Sequence, residues 1–115
     1  MAITLWHNPR CSTSRKVLAM IRARGIEPEI FEYLAAKPSA PAIKDVLAKL
    51  GIGARDLLRK KEPAYRAAKL DDPALGEAAL IRAMAADPIL IERPLVLKGR
   101  RGVLARPPER ALELL

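Results

Sequence analysis

A chain with one cysteine cannot close an intrachain disulfide, and Cys11 is the only cysteine among these 115 residues. That excludes a disulfide framework and any zinc site built from four cysteines. Stability has to come from an ordinary apolar core, and the composition supplies one. Hydrophobic residues make up 50% and charged residues 30%, a globular balance in a length that suits one domain spanning 1–115. A single histidine, His7, leaves a histidine-rich centre without ligands, so no metal is expected. No apolar run reaches the length of a membrane span. The N-terminus lacks a basic start followed by an apolar core, so no export signal is expected, and a free thiol then points to the cytoplasm.

The net charge is +8, with a sequence pI near 10.2. Nucleic-acid binding is the usual first reading of such a balance. Aromatics, however, are limited to Trp6, Phe31, Tyr33 and Tyr65, too few for rows of stacking rings. A solvated, arginine-rich surface ranks first, a field that attracts a small anion second, and nucleic acid last. Arg10, Arg15, Lys16, Arg22 and Arg24 all precede the first acidic residue, Glu27, in the segment that carries the cysteine.

Ile3 to Trp6 is a short apolar run stopped by His7-Asn8-Pro9, which predicts a buried strand ending in a turn. Ser12, Thr13 and Ser14 can cap a following helix with apolar positions Val17, Leu18 and Ile21, and Gly25 suits its end. Glu29 to Leu34 reads as a second strand, so the opening is a βαβ unit with a parallel pair. From about 39 to 87 only helices are expected. One is capped by Ser39 and closed by Gly51, two more cover Ala54–Lys60 and Ala64–Leu70, and one opens at Asp72-Pro73. Strands return at Pro94–Leu97 and Val103–Ala105 around a Gly99–Gly102 turn. Pro107-Pro108 starts a last helix with Ala111, Leu112 and Leu115 on one stripe. This order, βαβ, helical block, ββα, predicts an α/β thioredoxin-like fold with an all-helical insertion.

Cys11 stands on the loop leaving the carboxyl end of the first strand, immediately before a helix start. Open α/β sheets bind ligands there, and free N–H groups with the helix dipole favour negative charge. Such placements lower a thiol pKa from about 8.5 to roughly 3.5–7.5. Arg10 and Arg15 flank the cysteine and Ser14 offers a hydroxyl one turn away. The polar and charged neighbours favour a reactive thiol over a buried, inert one. A nucleophile without a second cysteine needs an external thiol to resolve its product. A phosphatase-like loop fits poorly, because the glycines and the downstream arginine it uses are missing. His7 has two open readings: tuning the thiolate or orienting the loop, or capping the strand through a backbone carbonyl.

The stretch His7-Asn8-Pro9-Arg10-Cys11-Ser12-Thr13-Ser14-Arg15 closely resembles the active-site loop of the glutaredoxin-dependent arsenate reductases. The resemblance continues through Gly51-Ile52, Leu57–Lys60, Pro88–Pro94 and Arg106–Glu109, and so covers almost the whole chain in order. It implies Cys11 as nucleophile, Arg59, Arg93 and Arg106 as holders of the oxyanion, and Pro94 as a cis-proline facing the thiol. His7, Ser14 and Arg15 then support the site. Ser14, where a second cysteine would stand, separates the chain from Spx-type regulators. Arginine suits a doubly charged oxyanion, since its planar fork bonds two oxygens and keeps its proton.

The resemblance implies an arsenate reductase with no bound cofactor. Cys11 attacks arsenic, glutathione as co-substrate forms a mixed thiol–arsenic species, and glutaredoxin completes reduction to arsenite. Two other readings stay open. One is a glutathione-dependent thiol oxidoreductase of the same fold with another substrate. The other is a non-enzymatic regulator that binds a partner through the helical insertion and the basic surface.

Overall fold

A computed structural model describes residues 2–115. They group into two compact units, one built from the N-terminal residues through Ala36 together with Arg93–Leu115, the other from Lys37–Glu92.

The first unit holds a four-stranded sheet. β1 (Ile3–Trp6) pairs in parallel with β2 (Glu29–Phe31) and antiparallel with β3 (Leu95–Lys98), and β3 pairs antiparallel with β4 (Arg101–Leu104). The strand order β2-β1-β3-β4, with α1 (Ser12–Ala23) crossing between β1 and β2, is the expected thioredoxin-like arrangement. Alternation along the strands sends Ile3, Leu5, Val96 and Val103 to one face, where they meet Val17 and Ile21 of α1. On β1 the other alternate position is Trp6, whose ring lies 4.9 Å from Phe31 and 6.2 Å from Tyr33. Burying these side chains supplies the main stabilisation, at about 1.5–3 kcal/mol for each large one.

Three expected elements change here. β2 stops at Phe31, because the carbonyl of Glu32 accepts from Ala35 and Ala36 and winds Tyr33–Ala36 into a helical turn, α2. The hairpin turn is only Gly99-Arg100, since Lys98 faces Arg101; Gly99 takes φ 60°, as the first position of a tight hairpin turn requires. The last helix is a 3-10 segment, Pro108–Leu114. With three residues per turn it buries Ala111 and Leu114 and leaves Leu112 40% exposed, which replaces the expected stripe. Both Arg93-Pro94 and Arg106-Pro107 are cis, the first as expected.

The second unit, which contains the expected helical region, carries α3 (Ala40–Leu50), α4 (Ala54–Leu57), α5 (Pro63–Ala67) and α6 (Glu77–Ala86). Ser39 caps α3 by accepting from the Ala42 N–H, as predicted. α4 is shorter than expected: Leu58 leaves the helix and bridges Ile91, with Arg59 N–H bonding the Leu90 carbonyl at 2.8 Å. α5 likewise ends at Ala67, short of Leu70. α6 starts at Glu77 rather than Pro73. The Asp72 carboxylate accepts from Ala74 N–H at 2.9 Å and holds a turn that competes with helix there.

Three helices end alike. Ile26 bonds the Ile21 carbonyl around Gly25, Ile52 bonds that of Leu47 around Gly51, and Leu70 bonds that of Tyr65 around Lys69. The middle residue takes a left-handed φ of 75°, 69° and 55° respectively. A side chain there costs about 1–2 kcal/mol. Lys69→Gly should therefore stabilise the protein by about 0.5–1 kcal/mol in urea unfolding, after the entropy of glycine is subtracted. Gly51→Ala should destabilise by about 1 kcal/mol, from backbone strain alone, since nothing lies within 4 Å of an added Cβ.

Candidate active site

The loop between β1 and α1 is shaped by its own short bonds. Asn8 Oδ1 accepts from Arg10 N–H at 3.0 Å, and the Asn8 carbonyl accepts from Cys11 N–H at 3.0 Å. The turn delivers Cys11 to the position before the first helical residue, with φ −93° and ψ 121°. The cysteine itself, not Ser12, Thr13 or Ser14, therefore occupies the capping position. Its carbonyl accepts the Arg15 N–H and so opens the helical ladder.

The sulfur closes no regular capping hydrogen bond, yet it lies among groups that favour charge. Partial burial pushes the thiol up. The Ser14 N–H, the Arg93 charge, the Thr13 N–H and a hydrogen bond from the Arg93 side chain outweigh it and hold Cys11 below the ordinary thiol value. Thr13, expected only as one of three possible helix caps, acts on the sulfur through its backbone N–H rather than its side chain.

Ser14 does not turn its hydroxyl to the thiol. The side chain is fully buried, lies 2.6 Å from His7 Nδ1, and accepts from Asn8 N–H at 3.1 Å. His7 is only 6% exposed and its backbone N–H bonds the Phe31 carbonyl. Burial lowers the imidazole pKa, against an opposing pull from Glu32, with Arg22 and Arg15 adding to the lowering. The ring thus orients the loop through Ser14. Arg15, expected to flank the thiol, instead donates Nη1 to the Pro9 carbonyl at 2.8 Å and braces the same loop.

Of the expected arginines, Arg93 and Arg106 belong to the unit that holds Cys11. The exposed Arg106 donates Nη1 to the Arg93 carbonyl at 3.3 Å. Arg59 belongs to the other unit, with Nη2 3.3 Å from Glu62, Nε 3.8 Å from Glu92, and Nη1 donating to the Ile89 carbonyl. The described residues contain no group of three or more His, Cys, Asp or Glu side chains able to hold a metal. Among the described residues no helix is long and apolar enough to cross a membrane.

A lone cysteine at the head of the first helix, its thiol pKa lowered by helix N–H groups and by Arg93, sits in a thioredoxin-like α/β fold. The chain belongs to the ArsC family, whose sequence model matches residues 6–114. It is 42% identical over 114 residues to the uncharacterized protein YfgD of Escherichia coli K12, covering 98% of this chain and 96% of that one. It is 43% identical over 108 residues to an arsenate reductase of Neisseria meningitidis serogroup A, covering 93% and 92%. The solved structure of an arsenate reductase from Vibrio cholerae superposes with a TM-score of 0.97 at 40% identity, over 100% of this chain and 98% of that one.

Two measurements check the electrostatics. Thiolate absorbance against pH should place Cys11 below about 8.5, and Arg93→Met should move the titration upward by removing two of the lowering causes. For His7, the unfolded chain takes up a proton near 6.5 while the folded chain resists it until lower pH. The stability present above that value should fall as pH drops through it, and His7→Gln should flatten that slope in urea unfolding.

Proposed function

We propose that the chain is an arsenate reductase that works through a cysteinyl–arsenate adduct, with glutathione and glutaredoxin as reductants. The observation that carries this reading is the Cys11 sulfur held toward thiolate by two helix N–H groups and Arg93. The family membership and the named relatives support the same substrate.

In the proposed sequence the Cys11 thiolate attacks arsenic and an arsenate oxygen leaves as water. Glutathione thiolate then displaces a second oxygen, again as water, giving an arsenic atom bonded to two sulfurs. A glutaredoxin thiolate attacks the glutathione sulfur, and the arsenic–sulfur electron pair stays on arsenic. Arsenic(V) becomes arsenic(III), and the two electrons come from the sulfurs of the new disulfide. Water then releases arsenite and frees Cys11. No resident cofactor or metal is needed, and the free thiol suits the cytoplasm.

The arginines would offset the repulsion between a thiolate and an arsenate dianion. Arg93 acts on the sulfur and the oxyanion together, and Arg106 extends the cluster. Arg59 is engaged by Glu62 and Glu92, so an oxyanion would compete with these carboxylates for its fork. Pro94, cis after Arg93, sets the backbone there, while His7, Ser14 and Arg15 hold the loop.

The test is steady-state turnover with arsenate, glutathione and glutaredoxin. Arsenite should form, and Cys11→Ser should abolish it; absence of arsenite from the wild type refutes the assignment. Arg106→Lys keeps the charge but loses the fork. Each lost charge-assisted bond is worth about 1.5–3 kcal/mol, so turnover should fall about ten- to a hundred-fold. Arg82→Lys on the exposed face of α6 should leave it unchanged.

A further inference from the structure

A cavity of about 350 Å³ is lined by the His7–Arg10 stretch that leads into Cys11 and by Glu32, Leu34 and Ala35, entirely within the unit that carries the thiol. Pro9, Leu34 and Ala35 give it apolar walls, and Arg10 and Glu32 bring one charge of each sign. Both charged residues are exposed, and among the described residues neither takes part in an ion pair. Arg10 directly precedes Cys11, in the turn whose Asn8 carbonyl accepts the Cys11 N–H at 3.0 Å. One wall of the cavity is therefore the loop that carries the nucleophile.

We propose that this cavity seats the thiol co-substrate, a small zwitterionic thiol peptide of the glutathione type. The inference rests on the glutathione-dependent reading above and deepens it by naming the residues that take the co-substrate. The volume lies in the range of small-molecule pockets and is much larger than a tetrahedral oxyanion fills. A cation and an anion from two different segments, with apolar lining in the same cavity, complement a ligand that carries carboxylate and ammonium at different places. Arg10 takes a carboxylate through its planar fork and Glu32 takes the ammonium. A ligand anchored there lies against the Pro9-Arg10 stretch that leads into Cys11, so its thiol is carried on the loop side of the cavity.

The test uses S-methylglutathione, whose blocked sulfur cannot react, titrated into the whole protein without arsenate and followed by backbone NMR. Shifts should gather at Arg10, Glu32, Leu34 and Ala35, and Arg10→Gln and Glu32→Gln should each weaken binding about tenfold or more. In turnover, both variants should raise KM for glutathione by a similar factor. Shifts located elsewhere, no binding by the wild type at millimolar ligand, or wild-type affinity in both variants overturns the proposal. If the wild type binds S-methylglutathione at these residues but forms no arsenite, the arsenate assignment falls and the pocket stands.

Discussion

His7 and Ser14 stand seven residues apart, on opposite sides of the cysteine, and their side chains meet in the interior at 2.6 Å. The contact closes the base of the loop that carries Cys11. The Ser14 hydroxyl also accepts the Asn8 N–H, so the end of β1 and the first turn of α1 are tied together across the loop. A polar contact buried this deeply is costly to break, because the His7 ring nitrogen would lose its Ser14 partner away from water. The loop is thereby held in the one shape that places a cysteine, rather than a serine or threonine, at the head of the helix.

The thiol's electrostatics follow from that placement. Burial by itself raises the thiol's pKa, and the two backbone N–H groups and Arg93 outweigh it and bring it below the ordinary value. Arg93 arrives from the start of β3, and β3 is registered directly against β1, with Leu95 opposite Trp6. The sheet thus brings the cation to the end of β1 from which the cysteine loop leaves. Arg106 follows β4 and reaches back to the Arg93 carbonyl, so the hairpin supplies two arginines at one corner. Arg15, a cation close in sequence, is spent on the Pro9 carbonyl. Proximity along the chain is a poor guide to which charge serves the sulfur.

Much of the fold was legible because it obeys local rules. Ser39 and Gly51 bound α3 as their chemistry dictates, and Gly25 ends α1 in the left-handed conformation. The errors arose where a local alternative competed. Asp72 formed a side-chain turn instead of starting a helix, and Leu58 left α4 to pair with Ile91. Tyr33 continued the strand pattern on paper but wound into α2 beneath the Trp6 ring. Lys69 ends its helix where glycine is usual, so no sequence signal marked the position.

From the sequence alone came the single cysteine, its place between a strand and a helix, the α/β order of elements and the excess of cations around it. These follow from residue type and periodicity, which act over a few residues. Tertiary structure decided which groups share the sulfur's surroundings. It turned Ser14 inward to His7, chose Arg93 over Arg15, and set Arg59 against Glu62 and Glu92. It also opened a cavity between Arg10 and Glu32, residues twenty-two positions apart. Such pairings depend on strand register and side-chain direction across distant segments, and no local pattern of residues encodes them.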